Sequence, residues 1–562
     1  MRQVMAAILF SAALGCEDTL KPGPSGEELP PVSATYVCGN DFNLLSRHAT
    51  ELEVRYGISG TAEDGALLLP PRTTDSTPSA TRLTTIRTGT LRLWYGGGEL
   101  PPVGNAGTAC PRTGAESGSA ARLGRWTVPL DWPVVAVHLH LLPSGDVLSW
   151  GSQGDPQVWH GETGGFTPAP SSTMLFCSGH AFLPDGRLLV AGGHISEHHG
   201  LPDANIFDPV SRSWTAIAAM SRGRWYPTNT TLENGDVLTL AGRDETGSQV
   251  EVPEVWTGSA WRSLPGASRR LPYYPRTFVA PNGLVFYAGE LQQSGYLDPR
   301  GAGEWTSVSA SNYGRRDYGS AVMYRPGLVM ILGGSDDLTR PPTNTAELID
   351  LNLGSPVWRY TQPMTHARRQ FNATLLPDGS VLATGGTSVA GFSDRAGGVR
   401  AAEVWNPATE TWNLLASSEV IRVYHSTTLL LPDGRVLHTG SGDGAGLPRE
   451  LNAEIFSPPY LFVPGVRPLI LEAPGSVTYG QSFYLATPDA PQVVRATLLR
   501  LGSVTHGFDQ NQRFLELPLQ RAAGGLTVTA PASGRLAPPG DYLLFILSGL
   551  GIPSIAKVVR IG

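Results

Sequence analysis

The chain has 562 residues, too many for one hydrophobic core, so two to four domains are expected. Its 67 glycines, 47 prolines and 16% charged residues argue against a helical protein and for many short strands joined by turns. A net charge of -7 without a basic run argues against a nucleic-acid partner.

In chain order, residues 1–16 come first. MRQVMAAILFSAALG has one positive charge and then an apolar run too short to span a bilayer. It reads as an export signal. Cys16, directly after Leu14-Gly15, resembles the acylated cysteine of bacterial lipoproteins, although Leu stands one place later than in that pattern. An exported protein is expected, extracellular or held at the cell envelope through a lipidated Cys16. Simple secretion is the alternative.

Residues 17–33 are rich in Pro, Gly and acid and read as a linker. Residues 34–122 carry alternating stretches such as ELEVRYGISG and TLRLWYGGG, expected to form a small β domain. Cys38 and Cys110 flank it, and in an oxidising compartment a disulfide between them is the default. Cys177 then has no partner. It is either a small packed hydrophobe or a thiol with a task.

Residues 123–455 contain a repeat of strand, Pro-Asp-Gly-like turn, strand and, usually, Gly-Gly. The turn glycines are Gly145, Gly186, Gly235, Gly283, Gly327, Gly379 and Gly434, spaced 41 to 55 residues apart. Each unit has room for four strands. A lone four-stranded sheet cannot bury both faces, whereas seven arranged radially can. A seven-bladed β-propeller is therefore expected, and the Gly-Gly ending resembles the kelch repeat. The period stops near residue 455. The short strands of 456–562 read as an immunoglobulin-like β-sandwich, which makes the whole chain all-β.

The first strand of a propeller blade lies nearest the axis, so the residues just before each repeat face the channel mouth. Three units stand out there. The second has Cys177, the third Tyr226, and the seventh Tyr424 and His425. Singly, each tyrosine reads as packing and the histidine as a satisfied polar group. Together they place a thiol, two phenols and an imidazole at equivalent points around one axis.

RVYHSTTLLLPDGRVL, AEIFSPPYLF and LGSVTHGFDQNQR resemble the last blade, the domain junction and the C-terminal domain of the copper-radical oxidases, the galactose oxidase and glyoxal oxidase family. The resemblance spans roughly residues 130–562. It implies a copper ion held by Tyr226, Tyr424, His425 and His506. It also implies a Cys177–Tyr226 thioether that serves as a self-derived radical cofactor. Two imidazoles with phenolate oxygen suit Cu(II) better than zinc or calcium. The implied activity is oxidation of a small aldehyde or primary alcohol by O2, with H2O2 as product. In it Tyr424 is the general base and Tyr226 abstracts hydrogen.

The departures bear on substrate. Counting from Tyr226 without gaps places Asp244 where galactose oxidase has a tryptophan over the cross-linked tyrosine. That enzyme's sugar-holding glutamine and arginine have no clear counterparts, and its sugar-binding N-terminal domain is not resembled. Trp225, in RWYP, resembles the glyoxal oxidase branch and either shields the radical or packs in its blade. A small aldehyde or alcohol is thus expected over galactose, acted on by a monomer. The competing class is a non-catalytic kelch-propeller module that binds glycan or protein.

Other residues remain to be placed. GGHISEHHG groups His194, His198 and His199 with Glu197, a second metal site or, by preference, a Gly-rich connection. His138 and His140 share one strand face and are expected to be packed or channel-lining. Arg222 and Arg224 could orient an anionic product. Tyr273 and Tyr274 either line the pocket or pack in their strand.

Overall fold

The computed structural model describes residues 114–444 and 446–562, preceded by the segments 32–38, 41–46, 49–59, 64–69, 79–84, 90–95 and 98–100. The signal-like segment with Cys16, nearly all of the linker, and Cys110 lie outside the described residues. The side chain of Cys38 does too.

The chain divides into two compact units, Met1–Glu116 and Ser117–Gly562. In the first, Val32–Cys38, Asp41–Ser46 and Ser79–Thr84 form one antiparallel sheet, and Leu52–Ile58 pairs with Asp64–Leu69 and Leu91–Tyr95 in another. The alternation in LEVRY buries Leu52 and Val54 with Leu44, Leu69 and Leu93.

In the second unit, seven antiparallel sheets follow one another. Six are built from four strands in chain order. One example is Thr228–Thr231, Val237–Leu240, Glu254–Trp256 and Trp261–Ser263. The seventh takes Ser426–Leu430, Val436–Gly440 and Asn452–Ser457, and borrows Arg125–Trp126 from before the first sheet. The circle is thereby closed by main-chain pairing of Trp126 with Phe456. From the second sheet on, first strands of successive sheets are neighbours, and the seventh's lies beside the first's, in agreement with seven blades. Each first hairpin turns where the repeat placed it. Gly434, for instance, takes φ +82, which Gly adopts without a Cβ penalty.

A buried ion pair recurs within the blades. Arg224, Arg316, Arg368 and Arg422 pair with Glu254, Glu347, Glu403 and Glu454 at 2.7–3.2 Å. Each guanidinium also donates to a carbonyl at the end of the second strand, from Ala241, Gly333, Gly385 and Gly440. Buried charges persist only when paired and hydrogen-bonded in this way. Two residues after each arginine stands Tyr226, Tyr318, Gln370 or Tyr424. The ion pairs therefore anchor the chain immediately before it enters the channel mouth.

The C-terminal region forms two sheets, five strands centred on Gly540–Ser548 and three centred on Gly525–Thr529, around Leu485, Val528, Leu544 and Ile546. One hairpin leaves it. Ser503–Thr505 pairs with the first strand of blade one, His138 opposite Thr505 and His140 opposite Ser503, and Phe508–Asp509 returns. The Asp509 carboxylate accepts from the amides of Ser503, Asn511 and Gln512 and fixes the hairpin's base. Gln510 and Gln512 reach out to Asn229 in blade three and Leu375 in blade six. The hairpin thus fills the axis and carries His506 at its tip.

Candidate active site

Residues at the channel mouth share an uncommon backbone. Cys177, Tyr226, Tyr274, Tyr318, Gln370 and His425, one from each of blades two to seven, have φ between +44 and +68. A left-handed turn lifts each side chain out of strand alternation and over the axis. Hydrogen bonds link neighbours, Tyr226 N–H to Cys177 O at 2.9 Å, Tyr274 N–H to Tyr226 O at 3.0 Å and Gln370 N–H to Tyr318 O at 2.8 Å. In blade seven the left-handed residue comes one place later, at His425. Consequently Tyr424 and His425 both reach the centre, their rings stacked at 3.7 Å.

The structure brings all four predicted ligand residues together. Tyr226 Oη lies 2.5 Å from Tyr424 Oη and 3.5 Å from His425 Nε2. The His506 ring is 4.4 Å from that of Tyr226 and 4.7 Å from that of His425. The tautomers follow from the partners. His425 Nδ1 faces the Gly442 carbonyl at 2.6 Å, so it carries the proton and Nε2 has the lone pair. Thr505 Oγ1 donates to Val137 O and therefore accepts from His506 Nδ1 at 2.6 Å. His506 Nε2 is left bare, buried and without a partner.

Burial lowers the pKa of His425 to about 4 and that of His506 well below the usual range, so both imidazoles are neutral at pH 7. Burial also pushes the Tyr226 and Tyr424 phenols up. Among the described residues no three His, Cys, Asp or Glu side chains converge. The donor set is instead two imidazole lone pairs and two phenol oxygens, each imidazole oriented by a bond to its other nitrogen. The orphaned His506 Nε2 fits a cation at the centre, and this donor set suits copper.

Cys177 is fully buried, has no cysteine partner among the described residues, and packs in one cluster with Phe176, Trp225 and Tyr226. Trp225 lies flat on Tyr226, centroids 3.7 Å apart and planes at 9°. Asp244 is not at this face. It accepts from the amides of Thr246 and Ser248 and from Arg222, closing its own turn. The gap-free count fails because the covering indole comes from the residue before Tyr226 and not from the next strand.

The remaining candidates separate cleanly. Arg224 is spent on Glu254, and Arg222 on Asp244. His138 and His140 belong to a buried hydrogen-bond chain. His138 Nε2 accepts from Cys177 N–H, its Nδ1 meets His180 Nε2, and Ser503 Oγ joins His180 to His140. Of the histidine-rich motif, His194 and His198 line the cavity, but the three imidazoles do not meet. Their Nδ1 atoms face Trp225, Tyr273 and the Glu197 carbonyl respectively. Tyr273 and Tyr274 both line the cavity, Tyr274 with its ring 4.7 Å from Tyr226. Tyr318 and Phe392 were not singled out by sequence. Tyr318 could have been, from the Arg-x-Tyr spacing it shares with Tyr226. Phe392 sits in a long loop with no local signal, its ring 4.6 Å from Tyr424. The cavity these groups border has a volume of about 990 Å³.

Comparison with known proteins agrees with this geometry. Residues 334–460 match the family described as glyoxal oxidase N-terminus, and residues 467–561 match the galactose oxidase-like early set domain. A galactose oxidase of Gibberella zeae is 29% identical over 492 residues, 78% of this chain and 71% of that protein. An aldehyde oxidase GLOX of Vitis pseudoreticulata is 27% identical over 479 residues, 75% of this chain and 89% of that one. A solved fungal alcohol oxidase of the AA5 family, in complex with copper, shares the fold with a TM-score of 0.72. It is 24% identical, and the match covers 78% of this chain and all of that one.

Proposed function

We propose, from the premise that this chain belongs to the galactose oxidase and glyoxal oxidase family, that it is a copper-radical oxidase of a small aldehyde or primary alcohol. The observation that carries the reading is the convergence of Tyr226, Tyr424, His425 and His506, with Cys177 and Trp225 both packed with Tyr226. Tyr226, Tyr424, His425 Nε2 and His506 Nε2 would hold the copper ion. When bound, copper supplies a one-electron acceptor, while oxidation of an alcohol or aldehyde releases two electrons.

Tyr226 provides the second acceptor. Its thioether forms when the Cys177 S–H and a Tyr226 ring C–H are lost and an S–C bond replaces them, with O2 as oxidant. Tyr424 would give up its own phenol proton on holding the metal, and as the phenolate it takes the substrate's hydroxyl proton, a role suited to an anion that burial makes more basic. Oxidised Tyr226 then takes the hydrogen atom from the substrate carbon. O2 accepts the two electrons and two protons and leaves as H2O2. Trp225 closes one face of Tyr226 to water. A small aldehyde or alcohol is favoured over galactose because the sugar-holding glutamine and arginine of galactose oxidase have no clear counterparts in this sequence. The signal-like residues 1–16 and Cys16 support export and attachment to the cell envelope.

The test loads the purified protein with copper under O2. The expected result is a mass loss of two hydrogens mapped to Cys177 and Tyr226, and H2O2 from a panel of glyoxal, methylglyoxal, glycerol and galactose. Cys177→Ala should still bind copper and lose most of the activity. A copper-loaded wild type with neither cross-link nor peroxide would leave the non-catalytic binding module as the better reading.

A further inference from the structure

The hairpin of GGHISEHHG has no part in the chemistry above, yet it grips the residue that covers Tyr226. Its strands His194–Ser196 and His199–Gly200 leave blade two between that blade's second and third strands. It docks on the backbone of blade three through Gly193 N–H to Arg224 O and Gly200 N–H to Asp244 O, both 3.1 Å. The fit is close. A Cβ on Gly200 would come within 2.2 Å of the Trp225 nitrogen.

We propose that His194 and His198 are positioning residues that fix the Trp225 indole over Tyr226 and so lengthen the life of oxidised Tyr226. This rests on the reading of Tyr226 as the redox centre. Stacking alone holds an indole at a given height but lets it slide and turn in its own plane. The single N–H removes that freedom, because Trp225 Nε1–H donates to His194 Nδ1 at 3.1 Å. Partial burial lowers the pKa of His194 and keeps that nitrogen an acceptor at neutral pH. His198 meets the indole edge-on, centroids 4.8 Å apart at 74°. It is held in turn by Tyr273 Oη on its Nδ1 at 3.1 Å, and Arg243 donates to the same hydroxyl. Tyr273 closes the remaining edge of the indole at 5.1 Å and 84°. His198 takes φ +66, a strained conformation for a non-glycine residue that the surrounding contacts maintain.

Oxidised Tyr226 is lost when it regains one electron and one proton from a reductant arriving through the cavity. A displaced indole opens that route without touching any copper ligand. The experiment uses full-length, copper-loaded protein oxidised with ferricyanide, then given ascorbate, with the decay of the radical followed optically. His194→Phe should shorten the lifetime about fivefold, the worth of one neutral hydrogen bond. His194→Asn, whose Oδ1 can replace Nδ1 as acceptor, should restore it, and His198→Ala at a half-exposed position should shorten it. Copper stoichiometry and the thioether mass should be unchanged in all three. A radical that forms normally in His194→Phe and His198→Ala and decays at the wild-type rate overturns the proposal and leaves the oxidase reading intact. A wild type that forms no radical at all overturns both.

Discussion

At the scale of single residues, the site concentrates strain. Cys177, Tyr226, His425 and His506 all lie at φ between +49 and +68. Such a conformation costs a non-glycine residue on the order of 1–2 kcal/mol and persists only where surrounding contacts impose it. His506 shows how it is imposed. Its Nδ1 is tied to Thr505 Oγ1, which is itself tied to the Val137 carbonyl of blade one. Thr505 thus sets both the tautomer and the direction of a ligand. Thr505→Val keeps the shape and removes the acceptor, so copper affinity should fall about 10- to 100-fold, the usual worth of such a partner. Competition against a chelator of known strength measures this. Wild-type affinity in Thr505→Val would mean that the hydroxyl does not orient the ring.

At the scale of elements, the Arg–Glu pairs turn a generic blade into a platform. Arg368 and Glu403 are both fully buried and 2.9 Å apart, and Glu403 also accepts from the amides of Thr365 and His366. Removing one charge strands the other, at a cost of about 3–5 kcal/mol. Glu403→Gln should lower the unfolding free energy by that order in urea titrations, whereas Arg368→Met with Glu403→Met should recover much of the loss. An unchanged midpoint in the single variant would show that the pair is not stabilising. The same pairs explain what could be read in the sequence. Arg-x-Tyr is visible in RWYP, RDYG and RVYH, and the partner glutamates recur 30 to 35 residues downstream. One-dimensional spacing shows the repeat, but a partner two strands away is identified only by folding. The hairpin strands were legible because Pro-Asp-Gly turns and aliphatic alternation are local signals. The covering of Tyr226 by its own neighbour was legible only as one of two readings of Trp225, offered by resemblance, since it depends on a left-handed turn that no local pattern announces.

At the scale of the whole molecule, the propeller and the C-terminal hairpin bury six histidines, His138, His140, His180, His425, His438 and His506. Burial is the main cause of a lowered pKa in every one, to about 3 in His180 and about 4 in His425. The sign follows from linkage. Below about 6.5 the unfolded chain takes up protons on these rings and the folded chain does not, so stability falls as pH falls. The window runs from about 6.5 down to the folded values near 3 and 4. Asp509 acts oppositely, since its pKa is raised to about 6 and its protonation favours the folded state. Glu290, whose pKa burial also raises, acts in the same sense as Asp509, and two carboxyls against six imidazoles leave the histidines dominant. For the copper-free protein, each buried histidine should remove on the order of 1 kcal/mol between pH 7 and 5.5. His438 isolates the effect. It lies in blade seven outside the candidate ligand set, and neither ring nitrogen has a hydrogen-bond partner. His438→Leu should therefore reduce by about one the protons taken up on unfolding near pH 5, read as a shallower dependence of the urea midpoint on pH. An unaltered slope in that variant would mean that His438 is charged or solvated in the folded protein, contrary to its burial beside Trp126.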